Sequence, residues 1–218
     1  MGTNINITSE IEKYIEDFSH NLHPVQKEII SYNRNLGDIK KMQISVSQCH
    51  FLKLITKISK SKRILEIGTF TGLSTLSMSL GLPEDGILIA LDKNLDTNKK
   101  AKEFFYKANQ SKKIKTIIKP ALETLKELKN DNSIFDIVFI DSDKENYKNY
   151  YDNVVEMVKV GGLIIIDNVL WHGEVIGACN NEKFTKIIKD FNTYVKNDKR
   201  TEQTIIPLGD GLTVCRKI

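Results

Sequence analysis

The sequence predicts an α/β fold built on a mostly parallel sheet that ends in an antiparallel hairpin. From Arg63 onward, short apolar runs alternate with helical segments, which is the pattern of βαβ units. The runs are almost continuously apolar, as is typical of strands covered on both faces. Near the C-terminus, EQTIIPL and GLTVCRKI are separated only by Gly-Asp. These two strands must be antiparallel, because a parallel crossover needs about a dozen residues or more.

Five apolar runs are predicted to form the parallel part of the sheet. They read RILEIG, ILIALD, IKTIIK, FDIVFID and GGLIIID, and helical segments separate them. Each run has the length of a buried strand. We therefore expect one domain over residues 1–218, with an α/β core over residues 61–218 and an N-terminal helical addition over residues 1–60.

Three helices are predicted within the first sixty residues. Ser9 and Glu12 have the spacing of a capping box, a second helix is expected after Pro24, and a third over about residues 47–59. The first helix carries an apolar stripe with the period of an amphipathic helix. The stripe consists of Ile11, Tyr14, Ile15, Phe18 and Leu22.

Length, charge and cysteine content narrow the class of protein. No apolar run approaches the roughly 20 residues that a membrane-spanning helix needs, and the N-terminus lacks the layout of a secretory signal. Cys49, Cys179 and Cys215 are scattered without CxxC spacing, so neither a disulfide framework nor a zinc site is predicted. The net charge of +4 comes from lysines spread over predicted helices, which is typical of solvated faces. We expect a cytoplasmic protein with no membrane partner.

The stretch ILEIGTFTGLST predicts a nucleoside site at the end of the first strand. Glu66 ends that strand, Gly68 and Gly72 bracket the loop, and Asp92 ends the second strand. Ligands of open α/β sheets bind beyond the carboxyl ends of the strands. The glycine spacing is ExGxxxG rather than the GxGxxG of dinucleotide sites. It therefore favours S-adenosylmethionine, which has no phosphate, over a nicotinamide cofactor, although Asp92 alone would more often be a helix cap.

Polar residues follow the fourth and fifth strands at the same predicted edge. Asp141 and Asp143 come directly after FDIVFI, and Asp167 and Asn168 follow GGLIII. Carboxylate and amide oxygens suit Mg²⁺, Mn²⁺ or Ca²⁺ rather than zinc. A cation held there would leave positions free for two adjacent oxygens of a substrate. Lys144, just beyond Asp141, is a candidate acceptor for the proton of a bound hydroxyl.

A purely structural interpretation of these residues stays open at this point. Ser142 with Glu145 has capping-box spacing for the next helix, and Asp143 would suit the positive end of that helix. Asn168 after Asp167 is compatible with ordinary turn chemistry.

Three stretches resemble the cation-dependent O-methyltransferases of the caffeoyl-CoA and catechol type, especially their bacterial members. They are ILEIGTFTGLSTLSMSLGLPEDGILIALD, FDIVFIDSDKENYKNYYDNVVEMVKVGGLIIIDNVLWHG and IIPLGDGLTVCRK. The element IDSDKENY stands where the family has DADKxNY, and IDNVLWHG matches its DNxLWxG element. The resemblance covers about residue 40 to the C-terminus. It implies a Rossmann-like, S-adenosylmethionine-dependent methyltransferase fold with a seven-stranded sheet, and a homodimer.

The resemblance also implies roles for individual residues. Asp141, Asp167 and Asn168 match metal ligands, Lys144 matches the lysine regarded as general base in the catechol branch, and Trp171 matches an aromatic residue near the acceptor pocket. Positions that contact or close over S-adenosylmethionine in the family correspond here to Met42, Ile44, Glu66, Gly68, Thr69, Ser74, Asp92, Ala121, Asp141 and Asp143.

The sequence departs from the family at two places. SVSQCHF replaces an acidic-Gly-Gln-Phe run, and HGEVIGACNNEKF is shorter than in the plant enzymes and lacks their tyrosines for acyl-CoA. The segment from His172 to Glu182, which should shape the acceptor pocket, carries no readable motif. The hypothesis is methyl transfer to a hydroxyl of a catechol-like small molecule, dependent on S-adenosylmethionine and a divalent cation, Mg²⁺ first. The alternatives are methylation of hydroxylated uridine in tRNA and, more remotely, a nicotinamide-dependent oxidoreductase.

Overall fold

The computed structural model describes residues 6–177 and 182–218 of the 218-residue chain. The helices are α1 Ser9–Asp17, α2 Pro24–Asn33, α3 Val46–Ile58, α4 Leu73–Ser79, α5 Leu95–Lys107, α6 Ala121–Asn130, α7 Tyr147–Met157 and α8 Lys183–Asn197. Short 3₁₀ helices cover Gly37–Met42, Lys144–Asn146 and Trp171–Ile176. The strands are β1 Arg63–Ile67, β2 Ile87–Asp92, β3 Ile114–Ile118, β4 Phe135–Ile140, β5 Val158–Ile166, β6 Thr201–Ile206 and β7 Leu212–Lys217.

The seven strands form one sheet in the order β3-β2-β1-β4-β5-β7-β6. Strands β1 to β5 pair in parallel, while β7 is antiparallel to both β5 and β6. This confirms the predicted parallel sheet and its antiparallel C-terminal hairpin. The runs of β1, β2 and β4 are almost completely buried, as expected of central strands covered on both faces, whereas β3 is an edge strand with partly exposed residues and β5 begins at Val158, before its predicted run.

Two hydrophobic layers cover the sheet. One layer packs α2, α3, α4 and α5 against one face, with Ile29, Leu52 and Leu76 fully buried. The other packs α6, α7 and α8 against the opposite face, with Tyr147 and Val154 fully buried. The sheet edge at the carboxyl ends of the strands is therefore flanked by both helical layers, and the site described below lies there.

Helix α1 covers only the first part of its predicted apolar stripe, because it ends at Asp17 and leaves Phe18 and Leu22 outside, and its start and its surroundings also differ from the prediction. The N-cap is Thr8 rather than Ser9, because the Thr8 hydroxyl accepts the N–H of Ile11 at 3.4 Å. No residue of α1 is buried, and Phe18, just after it, is 75 % exposed. The apolar stripe thus predicted the presence of the helix correctly, but it did not predict what the apolar face of that helix contacts.

The predicted capping box of Ser142 and Glu145 is wrong. The chain enters the 3₁₀ helix Lys144–Asn146 before α7 begins, and no side chain caps that turn. The Ser142 hydroxyl instead donates to the Asp143 carboxylate at 3.2 Å. Glu145 pairs with Lys183 of α8.

Within residues 6–177 and 182–218, no helix is long and apolar enough to cross a membrane. Cys49 and Cys215 are buried free thiols. Cys179 lies outside the described residues, as does part of the segment from His172 to Glu182.

Candidate active site

The last hydrogen bonds of the parallel strands bring their polar ends side by side. The N–H of Gly68 donates to Leu91 at 2.9 Å, the N–H of Asp141 to Ile67 at 2.9 Å, and the N–H of Asp167 to Ile140 at 3.0 Å. The residues after β1, β2, β4 and β5 therefore form one continuous edge. In open α/β sheets this edge is the usual ligand crevice.

Two positions of the loop after β1 must be glycine because neighbouring atoms lie too close for a side chain. A Cβ at Gly68 would lie 1.8 Å from the carbonyl oxygen of Asp141, and the residue has φ +98°. A Cβ at Gly72, with φ +87°, would lie 2.5 Å from the ring of Phe105. Both positions combine a left-handed backbone with no room for a side chain, so only glycine fits. The loop therefore packs directly on the end of β4.

Asp92 holds this loop in place. Its Oδ2 accepts the N–H groups of Thr69 at 2.9 Å and Phe70 at 2.8 Å, and its Oδ1 accepts the N–H of Asn94 at 2.8 Å. Phe70 has φ +48°, which costs energy for a non-glycine residue. The carboxylate of Asp92 thus stabilises the loop conformation, and it brings Thr69 and Asp92, two of the expected cofactor residues, together.

Glu66 is fully buried beneath the loop, with its carboxyl group directed at α4. Ser74 donates a hydrogen bond to it at 2.5 Å, and Thr75 donates a second one. Burial raises the pKa of Glu66 to about 8, against the lowering effect of the two hydroxyls. This carboxyl group is therefore largely protonated at neutral pH. The structure brings Glu66 and Ser74 together, and Thr75 joins them without having been predicted.

Asp143, in contrast, is held as a carboxylate. Its oxygens accept hydrogen bonds from Tyr150 at 2.7 Å, Asn146 at 2.5 Å and Ser142 at 3.2 Å. Burial alone would raise the pKa of Asp143, but these three donors outweigh it and lower the pKa. A negative charge at this point of the edge suits a cationic group of a ligand.

Lys144 lies at the centre of the expected metal ligands. Its Nζ is 3.2 Å from Oδ1 of Asp141, 2.6 Å from Oδ1 of Asn168 and 2.5 Å from the hydroxyl of Tyr147. The Tyr147 hydroxyl donates in turn to the backbone carbonyl of Asp167 at 3.0 Å. Asn168 has φ +57°, a left-handed conformation that asparagine tolerates better than most residues.

Asp167 is almost fully buried, and each of its carboxylate oxygens accepts one hydrogen bond. Oδ1 accepts the N–H of Asn168 at 2.7 Å, and Oδ2 accepts Nε2 of Gln48 at 2.9 Å. Burial raises the pKa of Asp167 above its usual value, and the nearby charge of Asp141 adds to this effect. Two carboxylates in such a place favour a positive charge between them.

The donor set therefore fits a hard divalent cation. Oxygens of Asp141 and Asn168 already converge on one positive charge, the ammonium of Lys144. The described residues contain no group of three or more His, Cys, Asp or Glu side chains that could hold a metal. The expected ligands here are two carboxylates, Asp141 and Asp167, and the amide of Asn168. An all-oxygen set without thiolate or imidazole suits Mg²⁺ or Mn²⁺.

A cavity of about 470 Å³ lies between the segment that follows β5 and the β6–β7 turn, and Asp141, Lys144, Asp167 and Asn168 are not among its lining residues. Trp171 is not among its lining residues; its ring lies 5.6 Å from that of His172 and 5.8 Å from that of Phe184. Asp210 fixes the neighbouring loop, because its Oδ1 accepts the N–H of His172 at 2.6 Å. The volume is that of a small-molecule site. The cavity is lined by Leu170, His172, Gly173, Val175, Ile176, Gly209 and Asp210.

The remaining predicted cofactor residues differ in exposure. Met42 ends a 3₁₀ helix and is 58 % exposed, whereas Ile44 is buried ahead of α3. Ala121 begins α6, directly after the end of β3. Met42 lies on the surface here, and none of the described contacts joins it to the strand ends.

The sequence did not predict a role in the site for Gln48, Thr75, Asn146, Tyr147 or Tyr150. Tyr147 lies within the quoted element IDSDKENY, but nothing in the spacing assigns its hydroxyl to Lys144. For Gln48 a local signal exists, because Ser45 and Gln48 have capping-box spacing. That spacing does not reveal the contact with Asp167.

The family model described as O-methyltransferase matches residues 16–218. A Dictyostelium discoideum protein named "Probable caffeoyl-CoA O-methyltransferase 1" is 36 % identical over 217 residues, covering 98 % of this chain and 94 % of that protein. The caffeoyl-CoA O-methyltransferase of Populus kitakamiensis is 37 % identical over 193 residues, covering 85 % and 82 %. The O-methyltransferase of Bacillus cereus, solved in complex with SAH (S-adenosylhomocysteine), superposes with a TM-score of 0.87 at 26 % identity, covering 96 % and 97 %.

Proposed function

The chain belongs to the O-methyltransferase family, and we propose that it transfers the methyl group of S-adenosylmethionine to a hydroxyl of a vicinal dihydroxy aromatic molecule with the help of a divalent cation. The observation that carries the proposal is the convergence of Asp141 and Asn168 on the ammonium of Lys144, beside the buried carboxylate of Asp167. A buried cluster of this kind stabilises a cation and the oxygens that bind to it.

The cofactor part of the proposal is supported by the crevice and by the similar bacterial enzyme. Gly68 lets the loop after β1 pack closely on the end of β4, and the carboxylates of Asp92 and Asp143 lie along the same edge of the sheet. S-adenosylmethionine carries an amino group and ribose hydroxyls, which are donors for such acids, and it needs no phosphate-binding turn. The Bacillus cereus O-methyltransferase was solved with SAH, the demethylated form of this cofactor.

When bound, S-adenosylmethionine would supply its sulfonium methyl group, with the electrons of the broken carbon–sulfur bond left on sulfur, and a cation held by Asp141, Asp167 and Asn168 would lower the pKa of the acceptor hydroxyl. The residues of the chain hold the two reactants in line, which lowers the entropic cost of the displacement. Nζ of Lys144 would accept the hydroxyl proton as a neutral amine, after its ammonium has released a proton to solvent, and Tyr147 keeps that nitrogen in place.

The acceptor part is supported by the size and lining of the cavity. Its volume of about 470 Å³ accommodates one aromatic ring with substituents. Leu170, Val175 and Ile176 supply apolar surface, while His172 and Asp210 supply polar groups. The Dictyostelium discoideum and Populus kitakamiensis proteins are named as a probable caffeoyl-CoA O-methyltransferase and a caffeoyl-CoA O-methyltransferase. By its chemical structure, a caffeoyl group carries two adjacent ring hydroxyls. A vicinal diphenol is the common chemical element.

The test is methyl transfer with a panel of vicinal diphenols, matched monophenols and total tRNA, each with Mg²⁺ and with EDTA. We expect turnover of at least one vicinal diphenol, its loss in EDTA and its recovery with excess Mg²⁺. Matched monophenols should react far more slowly, because they offer only one oxygen to the cation. Activity that persists in EDTA would contradict a role of the cation in methyl transfer. Methylation of tRNA with inert diphenols would replace the proposed acceptor with RNA.

The homodimer and the cytoplasmic location expected from the sequence stay predictions. Gel filtration with light scattering and cell fractionation would test them.

A further inference from the structure

Gln48 makes two sets of hydrogen bonds at once, one that caps α3 and one to Asp167 at the end of β5. It is the third residue of α3 and is only 3 % exposed. Its Oε1 accepts the N–H of Ser45 at 2.8 Å, while the Ser45 hydroxyl accepts the N–H of Gln48 at 3.2 Å. These two bonds form a capping box at the start of α3. The other end of the amide, Nε2, donates to Oδ2 of Asp167 at 2.9 Å.

The β6–β7 turn packs on this amide. A Cβ at Gly209 would lie 2.6 Å from Oε1 and 2.7 Å from Cδ of Gln48, and Gly209 has φ +59°. The backbone of the turn therefore approaches the amide as closely as a glycine allows. Because the amide is buried, bonded at both ends and covered by the turn, its orientation is fixed.

The fixed amide orients the Asp167 carboxylate. One oxygen of Asp167 is held by the N–H of Asn168, and the other by Gln48. Without Gln48, Oδ2 would lose its donor in a buried environment, and the carboxylate could rotate about its side chain. Residues that hydrogen-bond to metal-binding groups in this manner set the direction in which the free lone pairs point.

The same amide fixes the backbone beside Ile44. The Ser45 N–H that Gln48 accepts follows Ile44 directly, and Ile44 is buried at the position expected to close over the cofactor. One rigid side chain therefore contacts both the segment expected at the cofactor and a residue expected at the cation.

We propose that Gln48 is a positioning residue that orients Asp167 for the cation and links cation binding to the cofactor segment at Ile44 and Ser45. The inference rests on the proposed function, because it takes Asp167 as a ligand of a divalent cation. Linkage of this kind is reciprocal: if the cation strengthens cofactor binding by some factor, the cofactor strengthens cation binding by the same factor.

The chain offers a matched control in Gln26. This residue is the third of α2, is 2 % exposed, and forms a capping box in which Oε1 accepts the N–H of His23 at 2.9 Å. Its Nε2 donates to the hydroxyl of Ser77 at 2.8 Å. Gln26 and Gln48 thus have the same local structure and burial, but only Gln48 contacts a residue expected at the cation.

The experiment compares Gln48→Met with Gln26→Met, since methionine keeps the length and removes the amide. Mn²⁺ binding is measured by electron paramagnetic resonance on the protein without cofactor, and S-adenosylmethionine binding by calorimetry with and without Mg²⁺. We expect Gln48→Met to weaken Mn²⁺ binding by about 10- to 100-fold. The ratio of cofactor affinities with and without Mg²⁺ should exceed one in the wild type and fall toward one in Gln48→Met. Gln26→Met should leave Mn²⁺ binding and the ratio of cofactor affinities within about twofold of the wild type, because Gln26 does not hydrogen-bond to an expected ligand of the cation.

Equal effects of the two substitutions on Mn²⁺ would overturn the inference, because they would show a role in helix capping alone. If the wild type binds S-adenosylmethionine equally well with and without Mg²⁺, the linkage between cation and cofactor is overturned. If the wild type binds Mn²⁺ but Gln48→Met binds it equally well, the inference falls and the proposed function stands. If the wild type binds no Mn²⁺, both fall.

A second pair of variants does not alter Gln48 and remains usable if Gln48→Met fails to fold. Gly209→Ala would push a methyl group against the amide, whereas Gly37→Ala has nearly the same φ, +61°, with nothing within 4 Å. Both substitutions carry the same left-handed strain. We expect Gly209→Ala to weaken Mn²⁺ binding several-fold more than Gly37→Ala, and equal binding by the two would contradict the inference.

Discussion

Nζ of Lys144 donates a 2.6 Å hydrogen bond to Oδ1 of Asn168, so the expected proton acceptor lies at the point where the expected metal ligands converge. The same nitrogen is 3.2 Å from the carboxylate of Asp141. A lysine ammonium and a divalent cation therefore compete for the same oxygen atoms. This relationship makes the two roles of the cluster separable by substitution.

Lys144→Met should strengthen cation binding while it abolishes catalysis. Removal of the ammonium frees the oxygens of Asp141 and Asn168, so Mn²⁺ should bind several-fold more tightly to the protein without cofactor. Loss of the proton acceptor should lower kcat by about 10²- to 10⁴-fold. Electron paramagnetic resonance and steady-state kinetics measure the two effects. Lys148→Met, which removes an exposed lysine paired with Asp152, is the control. Weaker Mn²⁺ binding in Lys144→Met would contradict the competition.

Asp141→Ala should separate metal-dependent chemistry from cofactor binding. The variant loses a ligand of the cation, so methyl transfer should fall by about 10³-fold or more, because a bound metal contributes several kcal/mol to the transition state. S-adenosylmethionine should still bind, with a dissociation constant measured by calorimetry. Asp131→Ala, at the exposed C-cap of α6, is the control. Activity of Asp141→Ala close to that of the wild type at saturating Mg²⁺ would exclude Asp141 as a ligand.

The sequence predicted the strands and the polar residues at their ends, for physical reasons that act locally. Apolar runs such as FDIVFI fix a buried strand, and Asp141 must then lie where that strand ends. The parallel pairing of β4 with β5 brings Asp167 to the same edge. Sheet order and strand ends together account for the expected metal ligands, and the structure brings these residues together.

What the sequence did not predict depends on packing between distant segments. Gln48 and Asp167 are 119 positions apart, and their contact requires α3 to pack against the end of β5. The stripe of α1 identified a helix but could not reveal that Phe18 faces solvent. Ser142 and Glu145 had capping-box spacing, yet the Ser142 hydroxyl is taken by the carboxylate of Asp143. In each case several local conformations are compatible with the sequence, and a contact with another side chain or with solvent determines which one forms.

Asp92→Ala should weaken cofactor binding without affecting the cation. The carboxylate of Asp92 accepts the N–H groups of Thr69 and Phe70, and its loss frees the glycine loop. Hydrogen bonds to a charged group contribute about 1.5–3 kcal/mol, so S-adenosylmethionine should bind about 10- to 100-fold more weakly. Mn²⁺ binding should stay within about twofold, because Asp92 is not among the expected ligands. Calorimetry gives the first quantity and electron paramagnetic resonance the second.

The control for Asp92→Ala is Asp96→Ala. Asp96 lies in the first turn of α5, and its side chain is 94 % exposed. Cofactor affinity should be the same in Asp96→Ala as in the wild type. If Asp92→Ala binds the cofactor as tightly as Asp96→Ala does, the loop does not depend on this carboxylate.

Glu66 should make the unliganded protein less stable as the pH rises. Its pKa is about 8 in the folded state, because of burial, against an ordinary value of 4.5. Between these values the folded state holds a proton that the unfolded state has lost. The contribution to stability is therefore fully present below pH 4.5 and is lost as the pH rises through about 8.

Urea unfolding of the wild type and of Glu66→Gln at pH 5.5, 7.0 and 8.5 tests this contribution, because glutamine keeps the neutral shape of the side chain at every pH. The free energy of unfolding of the wild type, relative to Glu66→Gln, should fall by about 3 kcal/mol between the lowest and the highest pH. Thr75→Val removes a hydroxyl that lowers the pKa of Glu66, so in this variant the loss should move to higher pH. A difference between wild type and Glu66→Gln that stays constant, or that grows with pH, would show that Glu66 is ionised in the folded protein.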